Sequence, residues 1–590
     1  MSQRRLACRS LIALILCLAY RDAFTLGEDA GPGARDVSGA RRAREPVALA
    51  LSPSGNRLVT ANRRSGSLSV VDTTTREVLV EHQVGLGLVD VTPLPDGRHW
   101  LALDREGNAL IVVALDDREA RVVDHLTLKL DPVKMSWDRN CERGVVASLA
   151  SRGLTFLERA PDSTRPRISR VVELPFPPRC LTWLPGTDQV VVADAYAGRL
   201  LVVNAGTGAT GPVRAFPAQN VRGLAVSTRG DSVLLAYQEL SPSATTDQED
   251  VHWGRLLNNH LRTIRVESLL TAKTDQGLLE GSLTFDLGSF GNGAGDPAGI
   301  AVDEVGGVAV ALSGVGEVSI GLNPTDMRHR TRVGARPLAV AFARDGREVF
   351  SVDALDDTVT VIALPHGLRR QTIALGPRPA PEAVARGERL FYDANLSHDR
   401  WMSCHTCHAD GHTTGGLADT LGDGSYGAPK RIPSLLGVTQ TGPWAWDGSV
   451  SRIEDQVRKS VETTMRGREL NDTEVADLAT YLGTLTPKAN PDDSAEVQRG
   501  RVVFESRKCA RCHAPPSYTT PETYDVGLRD ERGRRLFNPP SLLGVGLRAP
   551  LLHDGRAEDL TDVFLKIKHP RGAHWDSSEV ADLVAFLKSL

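Results

Sequence analysis

The sequence has little of two things, long apolar runs and excess charge. The apolar run near the N-terminus, LIALILCLAY at residues 11–20, is about half the roughly 20 residues that a membrane-spanning helix needs. The 69 basic and 73 acidic side chains give a formal net charge of −4, so no long-range field attracts nucleic acid or an anionic membrane surface. We therefore expect no transmembrane span and no nucleic-acid partner.

The N-terminus has the pattern of a secretory signal, because Arg4 and Arg5 precede the short apolar run. Residues 1–23 are predicted to be a signal peptide and residues 24–44, rich in Gly, Ala and Arg, a solvated linker. Leu16, rather than a small residue, precedes Cys17, which argues against a lipid anchor. The mature protein is expected to be periplasmic or secreted.

Cysteine is also scarce, with 8 in the chain. Two leave with the signal, and four form two CxxC pairs in the last third of the chain. Only Cys141 and Cys180 remain. The sequence does not decide whether these two thiols pair in an oxidising compartment.

An apolar strand, a turn and a second apolar strand recur through residues 45–377, as in VALALSPSGNRLVTAN at 47 and LAVAFARDGREVFSVD at 338. The repeated turn residues are Gly55, Gly97, Asn140, Gly186, Gly230, Gly306 and Gly346. Apart from one longer gap, their spacing in the low forties is typical of four-stranded propeller blades. The pattern predicts a seven-bladed β-propeller that resembles the YVTN or WD40-like class. A pair of β-sandwiches is the alternative, but the period is sustained too long for it.

The longer gap between repeats predicts an insertion at about residues 240–290 in the fifth blade. Leu256, Leu257, Leu261 and Ile264 recur there at helical spacing, which predicts a short helix on one propeller face. His252 and Trp253 at its start are candidates to contact a cofactor or a partner, or only to pack the insertion down.

The last third of the chain is an internal duplication. CHTCH at 404–408 matches CARCH at 509–513, and PSLLGV at 433 recurs at 540. WDGSVSRIEDQV at 446 matches HDGRAEDLTDVF at 553, and EVADLATYLGTL at 474 matches EVADLVAFLKSL at 579. The chain is thus predicted to be multidomain, an all-β propeller followed by two all-α cytochrome c-like domains at residues 381–488 and 492–590.

Each CxxCH motif matches the chemistry of covalent haem attachment. Two cysteines at this spacing reach both vinyl groups of one porphyrin, and the following histidine lies under the iron. The thioether positions are Cys404, Cys407, Cys509 and Cys512, and the proximal ligands are His408 and His513. Zinc is the main alternative, but structural zinc sites bring their two ligand pairs much closer in sequence.

The sixth iron ligands are less determined. In the cytochrome c plan this ligand arrives just before the last helix, where Met465 is the soft ligand of the first copy, although a lone methionine is often core. His412 is a competitor, yet it lies close to the proximal side. In the second copy His569 is the candidate, with His574 next; surface placement is the alternative for both.

Residues 381–590 resemble the bacterial di-haem cytochrome c peroxidase and MauG family. The motifs that carry the resemblance are SCHTCH, PSLLGV, WAWDGS, KCARCH, PPSLLGVGLRAPLLHDGR and EVADLVAFLKSL. It implies two haem c groups, a peroxidatic haem over His408 and a relay haem over His513. It further implies Trp446 as the bridge between them and His553 against the haem propionates. Peroxide or a small redox protein would be the partner.

The sequence departs from the family at the acid/base position, where Arg466 stands in place of a glutamate. Peroxide cleavage needs a group that moves a proton between the two oxygens and an iron with an open position. Glu462 is the candidate substitute, and an iron ligated by Met465 would have no open position.

Two further departures concern the second iron and calcium. Ile567 aligns with the second iron's expected ligand and cannot ligate. Arg431 and Arg548 replace the asparagine and threonine of the family's calcium site, so calcium is doubtful.

The sequence therefore predicts an exported di-haem redox protein of the cytochrome c peroxidase class, possessing a propeller that docks a protein partner. A non-enzymatic electron-transfer module is the alternative. In a third hypothesis the propeller is an enzyme or sensor domain, and the haems carry electrons away from it.

Overall fold

The computed structural model describes residues 43–327, 329–365, 370–488 and 492–590. The predicted signal peptide and nearly all of the predicted linker lie outside the described residues. Within these ranges no helix has both the length and the apolar character needed to cross a membrane.

The N-terminal part of the chain is all-β. Its first three sheets have four strands each. The first contains β1 Pro46–Leu51, β2 Arg57–Asn62, β3 Ser67–Asp72 and β4 Val78–Gln83, and the second β5 Leu88–Pro93, β6 His99–Asp104, β7 Ala109–Leu115 and β8 Ala120–Thr127. The third contains β9 Pro132–Trp137, β10 Arg143–Ser148, β11 Gly153–Glu158 and β12 Arg167–Glu173.

A seven-stranded sheet follows, and then two more four-stranded sheets. The seven-stranded sheet contains β13 Pro178–Trp183, β14 Gln189–Asp194, β15 Ala197–Asn204, β16 Arg214–Val226, β17 Ser232–Leu240, β18 Leu257–Arg265 and β19 Leu283–Asp286. The next sheet contains β20 Pro297–Val302, β21 Val308–Leu312, β22 Glu317–Gly321 and β23 His329–Arg332. The last sheet contains β24 Pro337–Phe342, β25 Glu348–Asp353, β26 Thr358–Ala363 and β27 Arg370–Ala374. Neighbouring strands are antiparallel throughout these six sheets.

The sheets are arranged in a closed ring. The innermost strands touch in the order β1, β5, β9, β13, β16, β20 and β24, and β24 returns to β1. Leu58 and Val71 of the first sheet share a buried cluster with Phe350 and Val352 of the last. Second strands such as β2 and β14 are buried on both faces, whereas β12 at a sheet edge is exposed. Each sheet therefore buries its faces against its neighbours, as a propeller requires.

The long strand β16 belongs to two pairings. Its first half pairs with β15 and its second half with β17, and the register breaks between Gln219 and Gly223. Asn220, inside this break, has a φ of 49°, which turns the chain between the two pairings.

The helix predicted around Leu257, Leu261 and Ile264 is wrong. These residues lie in β18, which pairs with β17 and β19. A short apolar run is compatible with the periodicity of a helix and with that of a strand. β18 lies between two partner strands and buries side chains on both of its faces. Among the described residues of this part of the chain, the α-helices are short segments on either side of the strand: α1 Gln248–His252, α2 Val266–Thr271 and α3 Asp275–Leu278.

The C-terminal part is helical and consists of two similar copies. The helices are α4 Ala383–Phe391, α5 Cys404–Cys407, α6 Ile453–Lys459 and α7 Asp472–Leu482 in the first copy, and α8 Ala495–Ser506, α9 Leu560–Leu565 and α10 Ser577–Ser589 in the second. Two-residue strand pairs add Leu417–Ala418 with Lys430–Arg431 and Tyr524–Asp525 with Leu536–Phe537.

The first and last helices of each copy cross closely at a glycine. A Cβ on Gly387 of α4 would lie 2.0 Å from the Asp477 carbonyl oxygen, and one on Gly500 of α8 would lie 2.0 Å from that of Asp582. These two glycines, which follow Arg386 and Arg499 at equivalent places in the two copies, therefore allow the helix crossings of this fold.

A buried charge cluster joins the propeller to the first helical copy. The carboxylate of Glu388 on α4 is paired with Arg64 and lies 3.5 Å from Arg63 and 3.6 Å from Arg336. Glu45 completes the cluster, with 3.1 Å to Arg336. Removing the Glu388 carboxylate would leave three guanidinium groups, of which that of Arg336 is buried, with Glu45 as their one remaining partner in the cluster.

Glu388→Gln should lower the free energy of unfolding by about 3 kcal/mol, because the guanidinium groups of the cluster, that of buried Arg336 among them, lose one of their two carboxylates. Urea denaturation followed by circular dichroism measures the change. Glu382→Gln is the matched control, since Glu382 is exposed and its side chain caps nothing. Equal midpoints for the two variants would contradict the interface described here.

Candidate haem sites

The first CxxCH motif forms a single helical turn, α5. Ser403 caps the turn, as its hydroxyl accepts from the His405 backbone N–H at 3.1 Å while its own N–H donates to the Thr406 hydroxyl at 3.0 Å. The turn brings Cys404 and Cys407 together and places His408 directly after it. Burial raises the pKa of both thiols to about 12.

The propeller holds the two residues between these cysteines. The Thr406 carbonyl accepts hydrogen bonds from the side-chain amides of Gln219 at 2.8 Å and Asn220 at 2.9 Å. The hydroxyl of Thr406 donates to Asp296 at 2.7 Å, and that of Ser403 donates to the same carboxylate. His405 and Thr406 are buried beneath the propeller face. The first motif is thus a part of the interface between the two regions.

Both histidines after the motifs are oriented by a carbonyl. His408 donates from Nδ1 to the Pro433 carbonyl at 3.0 Å, and His513 donates from Nδ1 to the Tyr518 carbonyl at 3.2 Å. This bond fixes the tautomer that leaves Nε2 as the metal ligand. Burial lowers the pKa of each imidazole to about 4, so both are neutral at pH 7, the form that binds a metal.

The second motif is more open. Cys509–Arg511 forms a 3₁₀ turn, and Ala510 and Arg511 are exposed where the equivalent residues of the first copy are buried. His569 lies close enough to His513 to contribute to the lowering of its pKa. The carbonyl of His569 accepts a hydrogen bond from the Trp575 indole at 3.0 Å. His569, the candidate sixth ligand of this copy, thus lies within electrostatic range of the predicted proximal histidine.

Trp446 lies between the two copies. Its indole N–H donates to the Arg431 carbonyl at 2.8 Å, and its ring meets His553 of the second copy edge-on, with centroids 6.4 Å apart. The backbone carbonyl of Trp446 accepts from the Asn538 N–H at 2.9 Å. His553 is buried and stacks on Phe537, and among the residues that the structure describes neither of its ring nitrogens has a hydrogen-bond partner.

Two buried arginines flank this junction. The guanidinium of Arg431 donates to the Arg548 carbonyl, and that of Arg548 donates to the Ser541 carbonyl at 2.5 Å. Neither forms an ion pair within the described part of the chain, and each has a buried Nε without a partner. Burial lowers the pKa of Arg431 to about 10 and, with repulsion from Arg431, that of Arg548 to about 9.

These features fit a haem in both copies. The cysteine pairs and the oriented histidines supply the donor set. The two guanidiniums, which have no anionic partner among the described residues, and the imidazole of His553 suit the carboxylate groups that a haem carries, since buried cations need anions nearby.

The remaining predicted residues lie on the segment before α7 and near the first motif. Met465 is buried in an apolar cluster against which Cys404 also packs. Glu462 is exposed. Arg466 donates to the Thr246 carbonyl at 2.6 Å and the Tyr426 hydroxyl at 2.8 Å, so it ties the first copy to the propeller insertion. Both ring nitrogens of His412 are occupied, by Ser434 at 2.7 Å and the Leu547 carbonyl at 3.4 Å.

Sequence reasoning missed the propeller side chains that hold the first motif. A shared signal marks the positions of Asn220 and Asp296, since a polar residue with positive φ precedes or interrupts the innermost strand of five repeats: Glu45, Asp131, Asn220 (inside β16), Asp296 and Arg336. In four of them the next residue is proline. A polar residue before the repeated proline could have indicated the binding face.

Cys141 and Cys180 are both free thiols. They lie in separate parts of the propeller, where the Cys141 thiol faces the Pro93 carbonyl and the Cys180 thiol the Val221 carbonyl. The open question of a disulfide between them is answered in the negative.

Comparison with known proteins agrees with this geometry. Residues 381–487 match the family model described as di-haem cytochrome c peroxidase. The C-terminal region is homologous to MauG and the cytochrome c peroxidases. The methylamine utilization protein MauG of Methylorubrum extorquens is 27% identical over 36% of this chain and 78% of its own length. The cytochrome c551 peroxidase of Pseudomonas aeruginosa is 22% identical over 40% of this chain and 86% of its own.

Among solved structures, the β-propeller domain of Myceliophteria thermophila Cps50 (Swd1) aligns with 57% of this chain and 99% of its own. The identity is 12% and the TM-score 0.39, too low to carry a conclusion. The propeller assignment for residues 46–374 rests on the ring of sheets described above.

Proposed function

We propose that this protein is an exported di-haem c-type cytochrome of the peroxidase class, in which a small redox protein reduces the second centre and peroxide is reduced at the first. The observation that carries the proposal is the pair of CxxCH motifs, each followed by a carbonyl-oriented histidine, with Trp446 between the two copies. When bound, the haems would supply one-electron redox chemistry at iron. Peroxide reduction takes two electrons and two protons for each H₂O₂ and gives two waters.

The different exposure of the two motifs supports these roles. The first motif is covered by the propeller, so a protein donor cannot approach His405 or Thr406. The second motif exposes Ala510 and Arg511, beside the exposed Lys508, and offers a basic rim to an acidic redox partner. Electrons would enter there and pass by way of Trp446 to the first copy.

His569 is proposed as the sixth ligand of the second iron, and Met465 as that of the first when no substrate is bound. The support is the proximity of His569 to His513, and the packing of Met465 and Cys404 against one cluster. Glu462 is the proposed proton donor. Its exposure gives it access to solvent protons, whereas the Arg466 guanidinium beside it is bonded elsewhere.

The propeller is proposed to have seven blades. The seven-stranded sheet would count as two, which share β16, and the circular order of seven innermost strands supports the count. One propeller face contacts the first cytochrome-like copy. The opposite face would be free to dock a protein partner.

A second candidate function is pure electron transfer. The observation in its favour is Arg466, which occupies the family's acid/base position and bonds to the propeller insertion. With no proton-transferring group fixed at that place, peroxide cleavage would be slow.

His569→Ala should convert one of the two irons from six-coordinate low-spin to high-spin, because it removes the ligand that faces His513. Electron paramagnetic resonance of the oxidised protein measures the spin states. His574→Ala is the matched control, since His574 is exposed five residues further on. Unchanged low-spin signals in a folded His569→Ala protein with two haems would refute this ligand assignment.

Trp446→Phe should slow peroxide reduction by about tenfold or more, equivalent to at least about 1.4 kcal/mol in the barrier, because the residue lies on the route between the centres. The assay follows oxidation of a reduced small cytochrome by hydrogen peroxide. Trp444→Phe is the control, since the Trp444 indole donates to Val438 within the first copy. An inert wild-type protein with two low-spin irons would support electron transfer alone.

Calcium should be dispensable, because two guanidinium groups occupy the junction and repel a divalent cation. Dialysis against EGTA is expected to leave the visible spectrum and the turnover unchanged. Loss of either, restored by added Ca²⁺, would show that Arg431 and Arg548 do not take the place of the metal.

A further inference from the structure

A cluster of two histidines and one carboxylate joins the propeller insertion to the first helical copy. His252 ends α1, and His398 and Asp399 lie just before the first CxxCH motif. One side-chain donor atom from each lies within 4.8 Å of the others. His252 Nδ1 is 2.5 Å from Asp399 Oδ2, and His398 Nε2 is 3.4 Å from the same oxygen.

The chain conformation that presents these donors is strained. Asp399 and Arg400 have φ of 53° and 65°, a region that residues with a Cβ rarely adopt. Three backbone bonds hold the turn: Gly293 N–H to the Asp399 carbonyl at 2.7 Å, Gly295 N–H to the Arg400 carbonyl at 3.1 Å, and His398 N–H to the Met465 carbonyl at 3.0 Å. The fold thus fixes His398 and Asp399 on the same side, towards His252.

The surroundings exclude water from one side of the cluster only. Phe290 meets the His252 ring edge-on at 4.3 Å between centroids, and Trp253 stacks on Phe290 at 4.4 Å. The side chains of His252 and His398 remain about one-third exposed, at 32% and 30%. A cation from solvent therefore has a path to the three donors.

We propose that His252, His398 and Asp399 form a binding site for a divalent transition-metal ion of the zinc class, with water as the fourth ligand. Imidazole nitrogen and carboxylate oxygen are the donors that such ions prefer. Donors around a tetrahedral zinc ion are about 3.4 Å apart, which is the separation between His398 and Asp399. Metal uptake would replace the hydrogen bond between His252 and Asp399 and widen that pair by about 1 Å.

Other histidine–carboxylate contacts lack the third donor. His99 Nδ1 lies 2.6 Å from Asp96 Oδ2 on the propeller, with the same chemistry as the pair of His252 and Asp399. No second imidazole joins it among the residues described. The contact is therefore a natural control for the three-donor site.

A metal ion at this location would link two parts of the chain. It would join the insertion to the segment that precedes Cys404, and His398 is bonded through its backbone to Met465, the proposed sixth ligand of the first copy. The proposal does not depend on peroxidase activity, because the three donors lie outside both CxxCH motifs.

The experiment uses the full haem-loaded protein, purified with a tag that contains no histidine and stripped of loosely bound metal. The protein is incubated with Zn²⁺ alone, passed through gel filtration in metal-free buffer, and analysed for zinc and iron by mass spectrometry. We expect one zinc for every two irons in the wild type and in His99→Ala. His252→Ala and His398→Ala should lose it, and a matched incubation with Mg²⁺ should leave no bound metal.

His252→Gln guards against loss of the fold, because glutamine retains a hydrogen-bond donor for Asp399 but is a poor zinc ligand. Haem content and circular dichroism confirm that each variant is folded. The proposal would be overturned if folded His252→Gln retained zinc, if His99→Ala lost zinc equally, or if the wild type bound no zinc. The three residues would then form a hydrogen-bonded contact and no metal site.

Discussion

The interaction on which the rest of the structure depends is the contact between the propeller and the residues inside the first CxxCH motif. The Thr406 carbonyl accepts from Gln219 and Asn220, and the Thr406 hydroxyl donates to Asp296. Any haem attached to Cys404 and Cys407 would thus be mounted on the propeller. Unpaired buried polar groups are energetically costly. The polar side chains of this propeller face and the first CxxCH motif therefore each need the other as a hydrogen-bond partner.

The same contact makes two duplicated domains unequal. The first copy has its motif covered and its Arg466 bonded to the propeller insertion, whereas the second has its motif exposed. Duplication supplied two similar helical copies, and the propeller covers the CxxCH motif of the first copy alone. The Trp446 and His553 rings lie at the boundary, where the buried Arg431 and Arg548 supply positive charge. A scaffold without visible catalytic groups can in this way determine which centre meets a donor.

Much of the organisation could be predicted because it follows from periodicity and spacing. The repeats of the propeller, the duplicated helices and the CxxCH motifs are local patterns. The strand at Leu257–Arg265 could not be distinguished from a helix, since only its pairing with β17 and β19 decides the matter. Asn220 and Asp296 touch a motif more than 100 residues away in sequence, a contact that no local pattern shows. The meeting of His252 with Asp399 is likewise a consequence of tertiary structure.

The most direct test of the account is hydrogen exchange of the two motifs in the haem-loaded chain. Peptides that contain residues 402–412 and 507–517 are compared in one sample, so that each copy is the control for the other. The account predicts exchange slower by about tenfold or more in the first peptide, because its backbone is buried and bonded to the propeller. Equal exchange in the two peptides would contradict it, since the propeller would then not hold the first motif.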